Sequence, residues 1–202
     1  PDPSGAYLNQ TGALCSDHGG PTWPNYFFYH NTILRSDPAW RGYYGFGAGG
    51  QGTRKTTRRV FNNIFVQAQG IPGLIFASGA DDNFVDGNLH WGLIDGPAYK
   101  EDFFSKQSRW KSFPDSTKPA GWMEHDIFAD PRLNRLIADA DSDFDPDLTT
   151  GSPAIDSGVA IPDDWFDPLK DRDKGRPDIG ALPLGEHPEP VGLQTYNMRG
   201  SP

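Results

Sequence analysis

Cysteine is almost missing from this chain of 202 residues: Cys15 stands alone. No internal disulfide can form, and the lone thiol reads as a small buried or incidental side chain. Glutamate is scarce too, with 4 Glu against 23 Asp. Glu suits helix interiors, whereas Asp suits caps, turns and oxygen-donor metal sites, so the balance points away from a helical bundle. Bases are the minority, 18 against 27 acids for a net charge of −9. That excludes the basic footprint of a general nucleic-acid binder. No run of 18 apolar residues occurs, so no membrane span is expected. An initiator Met and a signal-like apolar stretch are also lacking, and the chain reads as a processed or truncated product.

What is present is glycine (24), proline (19) and 13% aromatic residues. Aromatics at that level supply a core and rule out a disordered acidic tail, while Gly and Pro demand many turns. The length suits one folding unit. Three aromatic and β-branched runs each carry an Asn: Tyr26 to Leu34 with Asn31, Val60 to Val66 with Asn63, and Phe84 to Leu89 with Asn88. Their spacings of 32 and 25 residues fall in the range of solenoid repeats. A stack of parallel strands explains the Asn. Its amide donates and accepts, so each can bond the Asn above and below, and Asn tolerates a left-handed backbone at a corner.

Four segments follow. Residues 1–25 form an N-terminal loop segment. Residues 26–96 hold the rungs, with the Gly-rich stretch Gly42 to Gly52 read as an inserted loop, because no Gly-Lys-Ser or Gly-Lys-Thr follows it as in a phosphate cradle. Residues 97–185 form an irregular closure that begins with a short helix around Phe103, Phe104 and Trp110, capped by Asp102 or Ser105. Residues 186–202 are a proline-rich extended tail. A fourth apolar run, Leu74 to Ala77, carries no Asn.

The closure carries a resemblance. Asp126-Ile127-Phe128-Ala129-Asp130-Pro131, Asp143 to Leu148, Gly151-Ser152-Pro153-Ala154-Ile155-Asp156-Ser157-Gly158 and Gly175-Arg176-Pro177-Asp178-Ile179-Gly180-Ala181 resemble the C-terminal end of secreted bacterial right-handed parallel β-helix proteins, relatives in fold of the pectate lyase-like superfamily. Leu182-Pro183 departs from the pattern, as does the long stretch Asn134 to Asp141. The resemblance implies an all-β fold, a right-handed parallel β-helix of C-terminal rungs plus an irregular closing segment. It also implies a secreted or cell-surface location. Only about three rungs are visible, and a solenoid that short leaves an apolar end uncovered, so upstream rungs are expected on the same precursor or on another chain.

For β-helix enzymes on acidic glycans, the resemblance implies cations that neutralise a uronate carboxylate, a base for the adjacent proton, and often calcium. The candidate catalytic residues are His30, Arg58 and His18, the last beside Asp17. Substrate-binding candidates are the basic cluster Arg54, Lys55 and Arg59, with the aromatic rings of Trp23, Trp40, Tyr43 and Tyr44 for stacking on sugars. Each also has a structural reading: bases beside a strand guard an exposed edge, and aromatics on loops cover a core. Asp141, Asp143 and Asp145 alternate as metal-ligand candidates for Ca2+, although the segment lacks the Gly and Glu of an EF-hand loop and also reads as turns. The expected function is a polysaccharide lyase or glycosidase acting on acidic glycan. The rival is a noncatalytic structural or adhesive subunit of an extracellular assembly, and polysaccharide is the expected partner.

Overall fold

The computed structural model describes residues 26–35, 44–45, 57–67, 74–75, 82–106, 120–136 and 145–187. Their architecture is all-β, with parallel sheets and a single eight-residue helix. The strands are β1 (Tyr26–Tyr29), β2 (Thr32–Arg35), β3 (Tyr44–Gly45), β4 (Thr57–Phe61), β5 (Ile64–Gln67), β6 (Leu74–Ile75), β7 (Asp82–Asp86), β8 (Leu89–Gly92), β9 (Ile127–Phe128), β10 (Leu133–Arg135) and β11 (Asp145–Leu148). The first sheet has the order β1-β4-β7, the second β2-β5-β8-β9, and β3 pairs with β6, all in parallel. Among the described residues only β10 and β11 run antiparallel. Tyr44, expected in an inserted loop, therefore lies in a strand, and the Asn-free run at Leu74 supplies that strand's partner.

The two main sheets share a core because their residues alternate. Phe28, Val60 and Val85 occupy matched positions on neighbouring strands and pack with Ile33, Phe65 and Phe128 of the second sheet. Their neighbours Phe27, Arg59 and Phe84 are also in register and take the opposite, outward face. Along the second sheet, Phe65, His90 and Phe128 form a column of nearly parallel rings, with centroids 5.4 and 4.9 Å apart. The other face of that sheet, Ile64, Val66 and Leu89, is buried under Leu133, Leu148, Ala154 and Ile179. Covered on both sides, β5 is buried along its whole length, with the apolar Ile64, Phe65 and Val66 followed by Gln67. Each fully buried Ile, Leu or Phe here contributes roughly 1.5–3 kcal/mol.

At the bend between the two sheets the Asn side chains stack as the spacing requires. Asn31 Nδ2 donates to Asn63 Oδ1 at 2.9 Å, and Asn63 Nδ2 donates to Asn88 Oδ1 at 2.9 Å. Each backbone N–H joins the same acceptor, at 3.1 and 3.0 Å. The left-handed residue of each bend is not the ladder Asn but the one before it: His30, Asn62 and Gly87 have φ of 51, 53 and 69°. The ladder residue keeps a backbone that aims its amide along the stack, while its predecessor turns the chain.

The helix α1 (Tyr99–Lys106) starts earlier than its sequence suggested. A 3-10 turn at Gly96–Ala98, with proline in its first positions, leads into it, so Asp102 and Ser105 lie within the helix and not at its start. Tyr99 and Phe103 are buried against the core between the sheets.

The segment from Ser152 to Leu184 is held by side-chain bonds to backbone groups. Ser152 Oγ donates to the Pro131 carbonyl and accepts from Ala154 N–H at 3.1 Å. The Asp178 carboxylate accepts from Asp156 and Leu184 N–H at 2.7 and 2.8 Å. Gly180 N–H donates to the Asn62 carbonyl at 2.9 Å, and the Asn62 amide both donates to and accepts from the Val159 backbone, each at 2.8 Å. Much of the aspartate excess of this segment thus bonds backbone amides in a region without ladders. No described helix is long and apolar enough to cross a membrane.

Candidate functional site

The bend after β1 differs from the two below it because its left-handed residue is a histidine. A left-handed His carries backbone strain of roughly 1–2 kcal/mol that Gly87 avoids. It directs the side chain into a pocket of about 270 Å3 lined by His30, Asp163, Asp167, Lys170 and Asp173, with Ile161 and Leu169 among its apolar walls. His30 Nε2 lies 3.7 Å from Asp167 Oδ2, and both side chains are close to nine-tenths buried. The other Asp167 oxygen accepts the Leu169 N–H at 2.9 Å, which holds the carboxylate in place.

Burial drives the His30 imidazole below the ordinary histidine range, against the opposing charge of Asp167 and bonds to the Gly180 and Asp178 backbone. Burial also raises the Asp173 carboxyl, although Asp178 N–H donates to it at 2.7 Å. Asp163 has the opposite environment: an exposed bond and charge from Lys170 hold its carboxyl low. The pocket therefore combines one carboxyl, Asp173, biased towards its protonated form, one, Asp163, biased towards ionisation, and an imidazole biased towards neutrality. Separated affinities of this kind are what proton transfer at one place needs.

Beside the pocket the outward face of the first sheet is aromatic. Trp165 packs on Phe27, Tyr29 and Phe61, with centroids 4.6, 5.6 and 5.7 Å away, and lies nearly parallel to Phe61 at 11°. Tyr29 Oη donates to the Phe166 carbonyl. Phe27 is 42% exposed and Phe166 is 82% exposed, so the cluster presents rings to solvent next to Asp167.

Of the residues singled out from sequence, His30 lies in this site, and Arg59 lies on the aromatic face, in register with Phe27 and Phe84. Arg58 and Tyr44 are placed by their backbones in β4 and β3. His18, Trp23, Trp40, Tyr43, Arg54, Lys55, Asp141 and Asp143 lie outside the described residues. Asp145 opens β11, opposite Arg135 of β10: it accepts from Asn134 Nδ2 and from Asp147 N–H, and these bonds hold its carboxyl low. Among the described residues, no group of three or more His, Cys, Asp or Glu side chains is placed to hold a metal ion.

Sequence reasoning missed Asp163, Asp167, Lys170 and Asp173, because the acidic stretch was absorbed into structural closure. The available signal was Trp165-Phe166-Asp167, an aromatic pair running into an acid within an otherwise polar segment. No protein-family model matches the chain, and no curated protein or solved structure matches it either.

Proposed function

We propose that the chain is the C-terminal part of a right-handed parallel β-helix protein directed at polysaccharide, with hydrolytic chemistry seated at the His30 pocket. The observation that carries this reading is the convergence of His30 with the Asp163, Asp167 and Asp173 carboxylates in one pocket. Parallel strands recurring in register and the stacked amides support the β-helix. Between lyase and glycosidase, the pocket's charges favour the glycosidase. Elimination next to a uronate needs cations, whereas here Lys170 is already paired with Asp163 and burial holds His30 towards neutrality. Hydrolysis needs one protonated and one ionised carboxyl group. Asp173 fits the acid, and Asp167, held by the Leu169 N–H and facing His30, is the carboxyl placed to act beside it.

An acidic glycan would draw on the basic residues from Arg54 to Arg59, of which Arg59 lies on the aromatic face; the pocket itself suits a neutral sugar unit. The rival reading, an extracellular structural subunit, draws on the strand edges. Among the described residues β1 pairs only with β4 and β2 only with β5, leaving an edge where upstream rungs or another chain would add.

Release of reducing ends from neutral and acidic polysaccharides tests the reading. Asp173→Asn is expected to lower that release at least about 100-fold with folding unchanged, in line with the loss of a general acid. Products carrying an unsaturated sugar would instead establish a lyase. Full activity in both Asp173→Asn and Asp167→Asn would remove the pocket from the chemistry.

A further inference from the structure

Asp86 and His125 form a second acid–base pair, built on the first sheet's outward face at the same C-terminal end of the strands as His30 but on the opposite edge of the sheet. Asp86 ends β7, and its carboxylate accepts twice from one residue: from the His125 backbone N–H and from the ring at Nδ1, both at 2.7 Å. The carboxylate is 7% exposed and the imidazole 50% exposed. Two-point attachment fixes the ring with its proton on Nδ1 and offers Nε2 to a ligand. The charged groups facing the ring are Asp86, Glu124 and Arg176; Asp86, through its hydrogen bond and then its charge, raises the imidazole above its ordinary range, Glu124 adds to this and Arg176 opposes it.

The surroundings are aromatic. Phe84 precedes Asp86 by two residues and shares its side of the strand. It meets Phe61 and Trp122 edge to face, with centroids 5.8 and 6.5 Å away. Trp122 stands three residues before His125, and Phe61 is the register partner of Asp86. Phe61 is buried, and Phe84 and Trp122 keep part of their rings exposed; ring surface beside one oriented polar group matches what a sugar presents, an apolar C–H face rimmed by hydroxyls.

We infer that the Asp86–His125 pair and the Phe84–Trp122 corner form a saccharide subsite, in which His125 Nε2 exchanges a hydrogen bond with a hydroxyl of a neutral pyranose. The inference rests on the polysaccharide reading above and adds a second contact to it. His30 follows β1 and Asp86 ends β7, with β4 between, so the two places are separated by two strand spacings, about 10 Å. A glycan crossing the strands would reach both.

Imidazole and indole NMR signals of the full chain, followed while cello-, xylo- and manno-oligosaccharides and oligogalacturonate are titrated in turn, read the two places separately. The expected result is a saturable shift at His125 and Trp122 with a neutral oligosaccharide. In His125→Gln, with melting unchanged, the affinity should weaken roughly five- to ten-fold, matching one lost hydrogen bond. Shifts confined to His30 would overturn the subsite and leave the pocket reading standing. A response to oligogalacturonate alone would overturn the neutral-sugar assignment. Silence at both histidines with every sugar would overturn both readings.

Discussion

The carboxylate of Asp126 holds the His90 imidazole at Nε2, 2.8 Å away, with both side chains fully buried. Its other oxygen accepts from Asn88, at 2.9 Å from the backbone N–H and 3.4 Å from Nδ2. Asp126 therefore continues the amide column by one position and ends it. An ionised carboxylate only accepts, so it absorbs the donors arriving from above and offers none to a further Asn. The partner for its second oxygen comes from the interior ring column, where His90 sits between Phe65 and Phe128.

Asp126→Ala would leave the Asn88 donors and His90 Nε2 without their acceptor in a dry environment. A loss of about 3 kcal/mol is expected in a denaturant titration. Asp126→Asn keeps an acceptor for Asn88 and should lose less. If Asn proved as damaging as Ala, the negative charge itself would be what the column needs.

Asn63 is the middle of the stack. Its Nδ2 donates to Asn88 Oδ1 and to the Phe61 and Phe28 carbonyls, at 2.9, 2.8 and 3.0 Å. Asn63→Ala should therefore cost roughly 2–4 kcal/mol, and the half-buried Asn31→Ala should cost about 1 kcal/mol. Equal melting midpoints for the two variants would contradict a column whose strength depends on burial.

The two site histidines should titrate on opposite sides of the ordinary value near 6.5. His125 is raised by Asp86, so its stabilisation is full below the unfolded-state value and fades as pH rises through the folded one. His30 is lowered by burial, so its contribution is present above the unfolded-state value and fades as pH falls towards the folded one. Imidazole NMR checks this directly: Asp86→Asn should bring the His125 midpoint down and leave His30 where it is.

Gly158 separates steric from conformational cost. A Cβ there would lie 2.6 Å from the Pro177 carbonyl oxygen, which already accepts the Gly158 N–H at 2.7 Å. Gly158→Ala should lose about 2 kcal/mol or more through overpacking. Gly185, with φ of 85° and nothing within 4 Å, should lose only about 1 kcal/mol on the same change, the cost of a left-handed alanine. Melting curves for the two variants give the comparison.

The amide column was legible because the repeat is local: aromatic and β-branched runs returning with an Asn fix which residues stand side by side. Asn31, Asn63 and Asn88 could be aligned by eye. Two placements went astray for a physical reason. Tyr44 looked like loop because a two-residue strand leaves no period to read. The left-handed turn was given to the ladder Asn because residue type alone does not say which of two adjacent residues, such as Asn62 and Asn63, takes the strained backbone.

The candidate site was barely legible. His30 stood out as a titratable group inside a strand-like run, but its partner Asp167 is 137 residues further on, and Asp86 meets His125 across 39. What the sequence determined by itself was the parallel, turn-rich β architecture, since strand periodicity and Asn spacing act over one repeat. Which carboxylates face which imidazole was decided only when the closing segment folded back over the bends, because those pairings depend on distances in space that no local pattern encodes.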